Sequence, residues 1–186
     1  MAVELNRHRF TRADYHRMAQ TGILAPDARV ELIDGEIIEM SPIGNPHTAA
    51  VTRATHLFVR GVGDDALVRV QCSIALGDNG EPEPDVALVR YRDDFYATSS
   101  ATEEDVLLLV EVADSSEEYD QRTKAPLYAR YGIPELWIAN LNRDQLVVYR
   151  DPTPTGYATV QVLRRGESIS PLAFPDLTVG VNDILG

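Results

Sequence analysis

Asp85 stands directly before the apolar run Val86-Ala87-Leu88-Val89, Glu111 lies within Val106-Leu107-Leu108-Leu109-Val110-Glu111-Val112, and the chain's single lysine, Lys124, follows. The other sixteen members of the Lys and Arg total are arginines. A lysine carries a compact ammonium whose pKa responds to its surroundings, so one lysine placed where two carboxylates can converge is a candidate catalytic group. The alternative is an ordinary solvated helix lysine. Two carboxylates and an amine suit hard divalent cations and the water activation they perform. Strand alternation sets Glu111 on the face of Leu107 and Leu109, where an unpaired charge would cost on the order of several kcal/mol or take up a proton. Glu111 therefore needs a partner or contact with water. An arginine pair or a solvent-open strand end would also meet that need, and Asp85 after a proline could equally belong to a turn.

The elements that must position these groups can be read from periodicity and turn chemistry. Thr11-Arg12-Ala13-Asp14 starts a lead-in helix over about residues 11–22, capped by the threonine. Residues 30–40 read as two short strands around the Asp34-Gly35 turn. Ala50, Val51, Ala54, Leu57, Phe58 and Val62 recur at helical spacing, predicting the main packing helix from about Pro46 to Val62. A strand is expected over residues 68–76, then a turn-rich stretch over 77–84, then two buried central strands over 85–89 and 106–112. Residues 91–104 read as a polar connection, and a helix is expected over about 119–131, interrupted or initiated at Pro126. Strands over 135–140 and 145–150 flank Asn142-Arg143-Asp144, a further strand covers 157–163, and the C-terminus reads as irregular.

With 186 residues and 44% hydrophobic side chains, the expectation is a single domain over 1–186 with its own core. Residues 1–10 include Glu4, Arg7 and Arg9 with no apolar stretch, and no segment approaches bilayer-spanning length. These features predict a soluble, cytoplasmic protein with no membrane partner. Cys72, the one cysteine, excludes an internal disulfide and a thiolate zinc cluster and is expected in the core. A net charge of −12 argues against a nonspecific nucleic-acid coat protein. Arg7-His8-Arg9 with Arg12 to Arg17 forms one basic cluster, and Arg122, Lys124 and Arg130 are expected to form a second. Zinc-finger, Rossmann and P-loop spacings are absent, as is a serine-hydrolase elbow.

Further signals lie in Glu31-Leu32-Ile33-Asp34-Gly35-Glu36 followed by Met40-Ser41-Pro42, in His47, in Gln71 and in Pro84-Asp85-Val86. They continue through Leu109-Val110-Glu111-Val112, Asp120, Lys124, Tyr128 and Gly132-Ile133-Pro134-Glu135-Leu136-Trp137. In this order and combination the chain resembles the PD-(D/E)XK nuclease superfamily, most closely its Uma-type restriction-endonuclease-like branch, over most of its length. The resemblance implies an α/β (α+β) restriction-endonuclease-like core, a central mixed β-sheet flanked by helices. It implies that Asp85 and Glu111 hold Mg2+ or Mn2+, that Lys124 is the signature lysine, and that the protein forms a homodimer. One position departs from the superfamily's simplest pattern: Ala113 stands two residues after the glutamate, where the lysine would be. The branch commonly carries that lysine on the following segment.

Glu31 is the candidate auxiliary carboxylate, with Glu36 behind it. His47 is a candidate contact to phosphate or a metal shell, with local packing or capping as its alternative. Gln71 is a candidate for orienting water or a carboxylate. Tyr128 and Trp137 read as core or wall residues. The expected function is a metal-dependent endonuclease hydrolysing DNA phosphodiester bonds, with Lys124 orienting or deprotonating water or stabilising charge on phosphate. The acidic charge and Ala113 motivate an alternative, a noncatalytic interaction module that retains the nuclease fold. A hydrolase of a smaller phosphate ester is a third reading.

Overall fold

The computed structural model describes residues 7–114 and 117–186, without the side chain of Glu117. Residues 1–6, including Glu4 in the reading of the chain start, lie outside them. Helix α1 spans Arg12–Gln20. The Thr11 hydroxyl accepts from the Asp14 amide at 3.1 Å while the Asp14 carboxylate accepts from the Thr11 amide at 3.1 Å, a reciprocal cap. Strands β1 (Val30–Ile33) and β2 (Glu36–Glu39) form the expected hairpin. Asp34 and Gly35 both take positive φ, 50° and 77°, as a two-residue hairpin turn of this hand requires. Helix α2 (Asn45–Val62) carries a proline in its first turn, where a missing amide donor costs no helical bond, and buries Ala50, Val51, Ala54, Phe58 and Val62.

The strand expected over 68–76 is two, β3 (Ala66–Val70) and β4 (Ile74–Ala75). Gln71 separates them: its φ is 49°, and its amide donates to the Asp85 carbonyl at 3.1 Å. Strand β5 is Val86–Arg90 and β6 is Ala101–Thr102, which lies inside the stretch read as a polar connection and pairs in parallel with β4. Strand β7 (Val106–Ala113) follows. A short helix α3 (Glu117–Tyr119) then widens into a π-turn over Asp120–Lys124 and returns to α geometry in α4 (Ala125–Arg130). Strands β8 (Glu135–Asn140), β9 (Gln145–Thr153) and β10 (Gly156–Arg164) complete the large sheet.

The six-stranded sheet runs β10-β9-β8-β7-β5-β3, with β7 and β8 parallel and every other neighbour antiparallel. It is therefore mixed, as expected. One apolar cluster, on α2, joins Phe58, Leu108, Val110, Val112 and Trp137; another, on α4, joins Leu109, Ala113, Tyr128, Leu136 and Ile138. Alternation on β7 accordingly gives Glu111 to the face of Leu109 and Ala113. Leu107 packs with the other cluster, because the β5–β7 register shifts at Leu88/Val89 and Val89 pairs with Val106.

The C-terminus is ordered structure where irregular chain was expected. Strands β11 (Ser168–Ile169) and β12 (Val179–Gly180) pair, and helix α5 (Val181–Leu185) docks on α2. Arg53 of α2 donates to the carbonyls of Ile184 and Leu185 at 2.8 and 2.7 Å, and Val179, Val181 and Ile184 are fully buried. These elements are too short for periodicity to announce them. Among the described residues no helix is long and apolar enough to cross a membrane.

Candidate active site

Asp85 precedes β5 and Glu111 lies near the end of the adjacent β7, and both line one cavity of about 320 Å³. Antiparallel pairing of β5 and β7 brings the two positions together. The join is direct, since the Val112 amide donates to Asp85 Oδ2 at 2.8 Å. His47 Nε2, in the first turn of α2, meets the same oxygen at 3.0 Å, whereas Asp85 Oδ1 is approached by Gln71 Nε2 at 3.4 Å. Glu111 repeats the pattern. Its Oε1 accepts from Tyr128 OH at 2.7 Å and Lys124 Nζ at 3.2 Å, and among the described residues Oε2 takes no donor. Each carboxylate thus has one oxygen held by two donors and the other weakly held or open.

Lys124 closes the π-turn, and π-turns inside helices recur at functional sites. Its ammonium, 5% exposed as a residue, lies 3.2 Å from both Glu111 Oε1 and Glu31 Oε2. Glu31, on β1, is fixed in turn by the Glu83 amide at 3.2 Å and by Tyr119 OH at 3.2 Å. Burial opposes the lysine's charge, but Glu111, Glu31 and Asp120 outweigh it and hold the pKa above the ordinary range. Burial pushes Glu111 up to about 8, since Lys124 offsets desolvation only in part and Asp120, Asp85 and Glu31 add to the rise. The two directions agree physically: a cluster with more carboxylates than cations takes its extra proton on a carboxylate and leaves the lysine charged. Burial and the adjacent carboxylates also raise Tyr119 and Tyr128, keeping both as hydroxyl donors.

The hydrogen bond to Asp85 raises His47 against the effect of burial, and its buried Nδ1 meets no partner among the described residues. Glu36 is instead a half-buried hairpin residue paired with Arg7 and Arg9. The second basic cluster does not form as a surface patch: Lys124 is buried, Arg122 pairs with Glu118, and Arg130 pairs with Asp34. Cys72 is half-buried, with Sγ at 3.3 Å from the Val70 carbonyl, because the turn at Gln71 lifts it out of the sheet.

Residues 12–182 match the Uma2 family, described as "Putative restriction endonuclease". The chain belongs to the Uma2 family. Among solved structures, this Uma2 member is similar to one described as "a putative nuclease belonging to DUF820 from Anabaena variabilis ATCC 29413". The two are 15% identical, with a TM-score of 0.66 over 84% of this chain and 89% of the other, which establishes a shared restriction-endonuclease-like fold. No curated protein matches the chain.

The cavity also draws on groups that sequence reading assigned elsewhere or missed. Tyr128 is fully buried, consistent with a core residue, yet its hydroxyl holds Glu111. Its spacing of four from Lys124 places both on one helix face, a signal that was present in the sequence. Tyr119 and the amides of Glu83 and Val112 carried no such signal, since each depends on a fold-level contact. Trp137 is a core residue in the cluster on α2, and its indole donates to Glu135 at 2.8 Å.

Proposed function

We propose that this Uma2 family member is a divalent-metal-dependent endonuclease acting on DNA phosphodiester bonds, with Asp85 and Glu111 as the ligands of Mg2+ or Mn2+. The observation supporting this reading is the pairing of two cavity-lining carboxylates on adjacent strands with Lys124 hydrogen-bonded to one of them. Among the described residues no group of three or more His, Cys, Asp and Glu is arranged to hold a metal. Mg2+ commonly uses one or two protein carboxylates and completes its shell with water and phosphate, so a two-carboxylate donor set fits it. The less constrained oxygens, Asp85 Oδ1 and Glu111 Oε2, are the atoms suited to that task. Such an ion supplies Lewis acidity and lowers the pKa of water.

The chain's own residues prepare the site. Tyr128 and Lys124 hold Glu111, while Val112 and His47 hold Asp85, so neither carboxylate must reorganise to accept a cation. Glu31 is a positioning residue for Lys124, since both its oxygens are already engaged. The Lys124 ammonium then serves to orient water or to offset negative charge gathering on the phosphate.

Calorimetric titration of Mn2+ into metal-stripped protein, followed by cleavage of plasmid and linear DNA, tests the reading. Wild type is expected to bind the ion and cut; Asp85→Asn is expected to lose the binding and at least about 100-fold in rate. Cleavage that persists in both Asp85→Asn and Glu111→Ala overturns it.

A further inference from the structure

A phosphodiester entering this cavity meets a strongly negative wall. Among the described residues seven carboxylates line it, against the basic side chains Arg29, His47 and Lys124. Two of the three are already engaged, Lys124 by Glu31 and Glu111, and His47 by Asp85. Arg29 differs from both. Among the described residues its guanidinium makes no ion pair, and its hydrogen bond runs from Nη1 to the neutral Ser41 carbonyl at 3.1 Å.

The hairpin determines where this cation stands. The Met40 amide donates to the Arg29 carbonyl at 2.9 Å, extending the β1–β2 ladder by one step beyond the Val30 and Glu39 pair. Arg29 and Ser41 therefore brace one wall of the cavity together, with Arg29 exposed. A guanidinium has five N–H donors in a planar fork matched to phosphate oxygens, and one nitrogen here is used on a carbonyl. Glu83 in the same cavity feels the guanidinium's charge without forming an ion pair with it, so the remaining donors are available to an anion.

We infer that Arg29 is the phosphate-binding residue of this cavity, donating to a non-bridging oxygen of a DNA phosphodiester. The inference rests on the nuclease reading above and adds to it the group that offsets the acidic wall for the substrate. Arg29 binds and orients the phosphate; the reacting groups are elsewhere in the cavity.

The test is binding of a short fluorescent DNA oligonucleotide to the full chain, with Ca2+ in place of Mg2+, across a salt series. Arg29→Ala is expected to bind roughly tenfold more weakly at fixed salt. Its log–log salt slope should be shallower by about one, because one fewer phosphate is neutralised. Arg29→Lys should recover the slope without the full affinity, because an ammonium keeps the charge and loses the fork. The residue is exposed, so the melting temperature should hold within about 2 °C. Wild-type binding with an unchanged affinity and slope in Arg29→Ala overturns the inference and leaves the nuclease reading standing. An oligonucleotide that wild type does not bind removes the DNA reading itself, and the role of Arg29 with it.

Discussion

Glu111 on β7 and Glu135 on β8 are both buried carboxylates on neighbouring parallel strands, yet their surroundings give them opposite tasks. Glu135 is held on both oxygens. Its Oε1 takes the Trp137 indole at 2.8 Å and Arg150 Nε at 2.8 Å, and its Oε2 takes the Leu172 amide at 2.7 Å. It ties β8, β9 and the segment after β11 into one unit. Glu111 has its donors on one oxygen, borders a cavity and shares Lys124 with Glu31. A buried carboxylate with donors on both oxygens specifies structure; one with an oxygen left open beside a cavity is poised to take a ligand.

The largest effect of a single substitution should separate the pair by stability. Glu135→Ala strands the Arg150 guanidinium and two N–H donors, and should lower the unfolding free energy in urea by roughly 3 kcal/mol. Glu111→Gln should cost less than about 1 kcal/mol, since the amide resembles the protonated carboxyl and Lys124 keeps Glu31. Equal costs for the two substitutions would erase the distinction.

A second effect, spread over several pH units, should appear with pH. Glu111 rises from an ordinary 4.5 to about 8 in the folded chain, so between those values the folded state holds a proton that the unfolded state has released. The metal-free protein should lose stability as pH rises through this window and level off above about pH 8, and Glu111→Gln should flatten that slope. Mn2+ competes for the same carboxylate, so its affinity should climb from about pH 6 to about pH 8 with measurable proton release. Calorimetry giving a pH-independent affinity over that range would contradict the placement of the proton on Glu111. Tyr128→Phe, which removes one donor from Glu111 Oε1, should cost about 1 kcal/mol by the same urea measurement.

The contrast between Glu111 and Glu135 was only half visible in the sequence. Glu111 and Asp85 were legible because each interrupts or borders an apolar strand run, and Lys124 because it is the one lysine among arginines. The hairpin was legible from Asp34-Gly35 and α2 from its apolar spacing, both local signals. The hold on both oxygens of Glu135 was not, because its partners come from β9 and from residue 172, far along the chain. The same holds for Arg29, whose place in the cavity wall depends on the fold and whose guanidinium makes no direct ion pair among the described residues. The break at Gln71 escaped notice because a left-handed glutamine leaves no compositional mark, and α5 escaped because it spans five residues.

The π-turn before α4 sets a different kind of vulnerability, one of length. In a helix each residue advances the facing direction by about 100°. Removing or adding a single residue between Asp120 and Lys124 would swing the ammonium away from Glu31 and Glu111 while leaving every side chain in the segment chemically intact. Substitutions here change the strength of one contact; an insertion or deletion would uncouple the lysine from the sheet and the hairpin in one step.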